Sequence, residues 1–185
     1  YARHYFRRST VIDAQLGQAW LGFAHAFALQ GEHDQAMAAY RSCARMISNC
    51  HLPSLCIGME YLRVNNGSLA LKFIDSARAL SPGDALVYNE MAVVHYKNAE
   101  YAEALKCVNK IVQVVGDLEI RRKVEWEPVL YNAGHIYRKV KNFPEAIRMF
   151  TLCLSLKPSS ASTFTALALT HHLSGSLDKA IEYYH

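Results

Sequence analysis

The sequence predicts an all-α fold, an array of antiparallel helix pairs stacked on one another, and three observations predict it. Apolar residues of matched size return every 34 positions along the chain. Glycine and proline are scarce, 9 and 5 among 185 residues, which favours helix. With 51% hydrophobic and 19% charged residues the composition is globular, and the length suits one domain or a short repeat array. A single helix pair cannot bury its own apolar face, so copies must stack.

Each element follows from that period. Ala2, Ala36, Ala70 and Ala104 stand 34 apart; Ala146 comes after 42 more and Ala180 after 34, so one insertion of eight residues interrupts the series. Four residues beyond these alanines stand the bulky Phe6, Tyr40, Ile74, Val108, Phe150 and Tyr184. Twelve before them, from Ala36 onward, stand the small Ala24, Gly58, Ala92, Gly134 and Ala168, and nine before them Phe27, Tyr61, His95, Tyr137 and His171. Small residues let two helices approach closely, and the bulky residue fills the space towards the next pair. Pro82 and Pro158 close two repeats, because proline lacks an N–H and clashes with the preceding turn.

The pattern predicts the second helix of a broken repeat over 2–14, then pairs over 17–30 and 33–47, 52–64 and 67–80, and 85–98 and 101–115. After the insertion come 125–140 and 143–156, then 161–174 and 177–185. Turns fall at Gly31, Asn65-Asn66-Gly67, Lys97-Asn98, Lys141-Asn142 and Gly175, and Pro53 and Pro128 sit near helix starts. The chain 1–185 thus reads as one array: partial repeats 1–16 and 161–185, full repeats 17–50, 51–84, 85–118 and 127–160, and an insertion at 116–126. With Trp20 heading the first full repeat, this frame resembles the tetratricopeptide-repeat (TPR) family along the whole chain. The resemblance implies a right-handed superhelical solenoid whose first helices line a concave face.

Composition and motifs exclude several classes of function. The net charge of +4 comes with 16 interspersed acidic residues and no long cationic run, so no nucleic-acid partner is indicated. No apolar run approaches the length of a membrane span. Cys43, Cys50, Cys56, Cys107 and Cys153 form no CxxC pair, and their odd number suits a reducing compartment. A start at Tyr1 and an interrupted last helix suggest a piece of a longer protein. There is no HExxH, phosphate loop or GxSxG, and adjacent His171 and His172 point to different sides of a helix. His95 and His171 are expected as packed, hydrogen-bonded core histidines, and Cys43 and Cys153, at one repeat position, as buried seam residues. No catalytic residue, metal site or cofactor is predicted, and the chain is not read as an enzyme.

Function is expected on the concave face. The TPR frame turns positions 2, 5, 9, 12 and 13 of each first helix inward, and the candidates for a peptide-binding groove are His25, Met59, Arg63, Asn89, Tyr96, Asn132, His135 and Arg138. Apolar and aromatic side chains with scattered amides suit an extended peptide, Asn89 bonding its backbone. A co-chaperone carboxylate clamp is disfavoured: its positions fall on Leu21, His25, Cys56, Leu86 and Glu90, or a repeat later on Leu55, Met59, Glu90, Pro128 and Asn132, without the cations a carboxylate needs. In the insertion, Arg121, Arg122 and Lys123 are weighed as partner contacts against a solvated helix end, and Trp126 is expected to pack on the array.

Three segments carry a closer resemblance. They are Glu32–Arg41, the stretch Cys50-His51-Leu52-Pro53 running to Tyr61, and Trp126-Glu127-Pro128 running to Lys139. They resemble the TPR scaffold subunits of the anaphase-promoting complex, or cyclosome, in the cell-division-cycle-sixteen (Cut-nine) family. The resemblance implies a non-catalytic subunit of a ubiquitin ligase that marks mitotic regulators for destruction. It implies a groove that clasps a small assembly subunit by its N-terminal segment, with an acetylated initiator methionine, and contacts with other TPR subunits. A homodimer through parts of the parent chain not present here, and residence in nucleus and cytoplasm, are implied as well. The alternative is a generic TPR peptide-binding adaptor of another complex.

Overall fold

A computed structural model of the chain describes residues 1–116, 120 and 123–184. Among the described residues the elements are helices alone: α1 (Ala2–Ile12), α2 (Gly17–Leu29), α3 (His33–Met46), α4 (Leu52–Arg63), α5 (Gly67–Leu80), α6 (Ala85–Lys97) and α7 (Tyr101–Val115). A 3-10 turn (Val124–Trp126) then leads into α8 (Glu127–Lys139), α9 (Phe143–Leu156), α10 (Ala161–Leu173) and α11 (Leu177–Tyr184). The helices fall where the 34-residue period places them. Most ends agree to within one residue, and two differ by two residues for local reasons. α1 stops at Ile12 because the Asp13 carboxylate accepts the Gln15 N–H at 2.9 Å and turns the chain. α8 begins at Glu127 because Val124–Trp126 wind as a tighter 3-10 turn first. Arg121 and Arg122 lie outside the described residues; Lys123 is exposed and Trp126 half-buried.

Every turn inside a helix pair uses one device. Gly31, Asn65, Ala99, Lys141 and Gly175, the same position in five repeats, all have positive φ, between 60° and 85°. The following N–H then reaches back to a carbonyl near the helix end: Glu32 to Phe27 (3.1 Å), Asn66 to Tyr61 (2.8 Å), Glu100 to His95 (2.8 Å), Asn142 to Tyr137 (2.9 Å) and Ser176 to His171 (2.9 Å). This is the Schellman closure, which satisfies carbonyls that a helix end leaves open. The aromatic and histidine column read from the sequence is thus also the column of acceptors. Asn66 and Asn142 go on to cap α5 and α9 through the N–H groups of Leu69 and Glu145.

Close approach at the small column explains its composition. A Cβ at Gly58 would stand 2.6 Å from Ile74 Cγ1, and one at Gly134 2.6 Å from the Phe150 ring. Ala36, Ala70, Ala104, Ala146 and Ala180 are all buried. Cys43 Sγ lies 3.2 Å from the Gly17 carbonyl and Cys153 Sγ 3.6 Å from that of Glu127, the equivalent bond in two repeats. The chain divides into two compact units, Tyr1–Glu90 and Met91–His185. In the first, Ala24, Ala36, Ala39, Tyr40, Cys56 and Ile57 form a core flanked by Trp20, Phe27, Tyr61 and Phe73. In the second, Ala146, Phe150, Ala166 and Leu167 do the same beside Tyr131, Tyr137 and Tyr183. Fully burying a side chain such as Ile57 or Phe150 stabilises by about 1.5–3 kcal/mol.

Of the two histidines expected as packed, hydrogen-bonded residues, His95 makes its bond and His171 leaves one nitrogen unbonded. His171 is buried and its ring stacks on Tyr183 at 5.5 Å between centroids, but its Nδ1 has no partner. His95 sits at the turn, where Nδ1 meets Glu100 Oε2 at 2.6 Å. The Cys-His-Leu-Pro segment has a structural role: His51 Nε2 lies 2.6 Å from Asp84 Oδ2, while Asp84 Oδ1 accepts the Leu86 N–H at the start of α6.

Candidate functional site

In the first unit α2 and α4, the leading helices of two repeats, present equivalent positions to one depression. His25, Met59 and Arg63 surround it with Ala28, Leu29, Tyr40, Cys56 and Glu60, and its volume is about 340 Å³. Tyr40 Oη and His25 Nδ1 are 2.7 Å apart. Glu60 is only 2% exposed. Its Oε2 lies 2.7 Å from His33 Nδ1, and its Oε1 accepts from Arg63 Nη1 at 2.7 Å. A buried carboxylate needs such partners, because desolvation of an unpaired one costs several kcal/mol. Asn89 is buried rather than open on the face, and its Nδ2 donates to Glu90 Oε1 at 2.9 Å. Burial pushes the Glu90 carboxyl up, against that hydrogen bond and the charge of Arg63. Burial also raises the Cys56 thiol to about 11, so it stays a neutral packing group.

In the second unit Val93 and Tyr96 of α6 and Asn132, His135 and Ile136 of α8 surround a depression of about 200 Å³. The His135 ring meets Tyr131 and Phe150 edge to face, at 4.5 and 5.2 Å between centroids. Burial first, then the charges of Arg138 and Lys139, pull its pKa down to about 4. The neutral ring accepts from Arg138 Nη2 at Nδ1, 2.9 Å away, which leaves its own proton on Nε2. Arg138 Nη1 is buried and has no hydrogen-bond partner, and among the described residues no carboxylate pairs with this guanidinium. Another cleft, about 190 Å³, opens among α7, α8 and α9, where Ile111, Val129, Ala133 and Met149 meet. It lies next to the insertion, lined mainly by seam side chains together with Asn109, Tyr137 and Arg148.

Of the candidates read from the sequence, His25, Met59 and Arg63 stand together, as do Tyr96, Asn132 and His135 with Arg138 beside them. Leu55 and Leu62, at inward positions of the TPR frame, belong to the core. Glu60 was not singled out, yet the sequence carried a signal for it. Its repeat column reads Ala26, Glu60, Val94, Ile136 and Thr170, one charge in an otherwise uncharged seam. Among the described residues no group of three or more metal-ligating side chains is placed to hold an ion, and no helix is long and apolar enough to cross a membrane.

Comparison with known proteins fits this geometry. The tetratricopeptide-repeat family model matches residues 17–50 and 127–160, the boundaries of two repeats read from the period. The chain is 43% identical to anaphase-promoting complex subunit 6 of Arabidopsis thaliana over 95% of its own length and 32% of that protein's. It is 38% identical to the cell division cycle protein 16 homolog of Homo sapiens over all of its own length and 30% of that protein's. A solved structure of the Cut9–Hcn1 hetero-tetramer of the same complex contains a chain that superposes with a TM-score of 0.90 and 35% identity, over 98% of this chain and 34% of that one. The molecule is therefore a tetratricopeptide-repeat array of helix pairs. Within that class it is a homologue of the anaphase-promoting complex subunits called subunit 6, cell division cycle protein 16 and cut9, and it spans a quarter to a third of their length.

Proposed function

We propose that this chain is part of a non-catalytic scaffold subunit of the anaphase-promoting complex and that its repeat faces hold an extended segment of a small assembly subunit. The observation that carries the reading is the identity of 38–43% with these subunits along nearly the whole chain. The Cut9–Hcn1 structure supports a small partner, because the chain it contains matches this one in both fold and sequence. The faces supply the chemistry such a segment needs: apolar and aromatic walls at Met59, Val93 and Tyr96, with polar groups at His25, Asn132 and His135 to fix its backbone. On this reading the segment is the partner's N-terminus with an acetylated methionine. Other TPR subunits pack on the array, parts of the parent chain make a homodimer, and the complex works in nucleus and cytoplasm. No catalytic step is assigned to these residues.

The test is co-purification from extract of the source organism, read by mass spectrometry, with a Met59→Glu/Asn132→Ala/Arg138→Ala variant beside the natural chain. Recovery of the Hcn1-like subunit and of cyclosome subunits, with the small subunit lost from the variant, is the expected result. Recovery of chaperones or unrelated peptides, unchanged by the variant, contradicts the proposal.

A further inference from the structure

We propose that Arg138 is a specificity residue of the second face, held back in the free chain and poised to take a carboxylate of the bound segment, an Asp or Glu side chain next to an apolar residue. The inference rests on the reading that this face holds an extended segment. Arg138 stands beside the depression of Val93, Tyr96, Asn132, His135 and Ile136. One end of its guanidinium is spent on His135 Nδ1, and the other, Nη1, is closed off without a partner. A buried donor left unmade costs about 1–3 kcal/mol, so the free arrangement is poorly compensated. Arg3, Arg63, Arg78 and Arg148 each reach a carboxylate, and Arg41 and Arg45 bond the hydroxyls of Tyr61 and Ser42; Arg138 reaches a neutral imidazole and keeps a buried nitrogen without a partner.

The surroundings favour an anion and disfavour a cation. Lys139 follows on the same turn, exposed, with its Nζ 5.8 Å from the centre of the Tyr101 ring. Among the described residues the charged groups acting on His135 are Arg138 and Lys139, both positive. Swinging the guanidinium outward gives up one bond to a neutral acceptor and gains a planar two-bond pair with a carboxylate, the geometry for which arginine is suited and lysine is not. The apolar residue beside that carboxylate fills the space along Val93, Tyr96 and Ile136.

The test uses a synthetic N-terminal segment of the Hcn1-like subunit from the source organism, with each position replaced in turn by Glu and by Gln. Binding is read by fluorescence anisotropy against the natural chain and against Arg138→Met and Arg138→Lys. At one position Glu is expected to bind about tenfold tighter than Gln, an advantage that falls below about twofold on Arg138→Met and only partly returns with Arg138→Lys. No position that prefers Glu on the natural chain, or a preference that survives Arg138→Met, overturns the proposal. If the unmodified segment fails to bind at all, the groove reading fails, and a partner-free measurement decides the arginine. The guanidinium ¹⁵N resonances of Arg138 are followed during titration with N-acetylglutamate methylamide and with N-acetylglutamine methylamide. A response to the carboxylate alone supports the inference; identical responses overturn it.

Discussion

In the first unit, Glu60 sits buried beneath the face with His33 and Arg63 bonded to it, and Glu90 is held by Asn89. In the second, His135 and Arg138 occupy the repeat positions that Met59 and Leu62 fill in the first, and there a cation leans on a neutral ring with one nitrogen, Nη1, unspent. The helix seams beneath are alike: Gly58 against Ile74 and Gly134 against Phe150, Cys43 and Cys153 on equivalent carbonyls. Repetition therefore fixes the backbone and the seam, where every copy faces the same packing problem. It leaves the face free to carry different charges, where only a partner constrains it.

The largest break in this comparison is expected at the carboxylate. Glu60→Ala should destabilise the chain by about 3 kcal/mol, because it strips two bonded partners from a desolvated site. Arg138→Met should cost less than about 1 kcal/mol, since it removes a donor that is already half unmet. Urea unfolding of the two variants measures the contrast, and equal losses would erase the distinction between a structural charge and one kept for binding.

Acid should separate the faces next. The His135 pKa of about 4 lies below its unfolded value near 6.5. Between those values the unfolded chain binds more protons than the folded one, so stability is complete above about pH 6.5 and falls as the pH drops towards 4. His135→Gln should remove up to about 3 kcal/mol of that acid sensitivity, read as the difference between unfolding at neutral and at low pH. His171 and His25 are also lowered, chiefly by burial, and remain in both proteins, so the comparison isolates His135.

The seam should show no such contrast. Gly58→Ala and Gly134→Ala each force a methyl group to 2.6 Å from a neighbour and should destabilise by similar amounts, about 1–3 kcal/mol. The smallest effect is expected at the turns, with opposite sign. Ala99 and Lys141 hold φ near 62°, a conformation that glycine adopts without strain. Ala99→Gly and Lys141→Gly should raise stability by about 0.5–1 kcal/mol in thermal unfolding, while Asn65→Gly changes little because asparagine tolerates that region.

These contrasts also mark what was legible in the sequence. Helix limits, the seam and the roles of Cys43 and Cys153 were readable because they recur, so each repeat checks the others. The left-handed turn at Gly31, Asn65 and Gly175 was readable from residue type, whereas Ala99 and Lys141 carry it by position alone. The groove candidates came from repeat phase, which sets the direction of a side chain but not its neighbours. It could not show that Asn89 is occupied by Glu90, that Leu55 and Leu62 belong to the core, or that Arg138 turns to His135. The burial of Leu55 and Leu62 depends on neighbouring helices, and the bonds of Asn89 and Arg138 depend on which rotamer each takes within its own helix; no period encodes either.

The central claim, that the repeat faces rather than the seams receive the partner, is tested most directly with methyl-labelled methionine. The chain has five methionines; Met59 lines the first face and Met149 the cleft among α7, α8 and α9. On titration with the N-terminal segment of the Hcn1-like subunit, the Met59 methyl resonance should move to saturation while Met149 stays in place. Movement of Met149 with Met59 unchanged would contradict the account and put the partner on the seam side of the array.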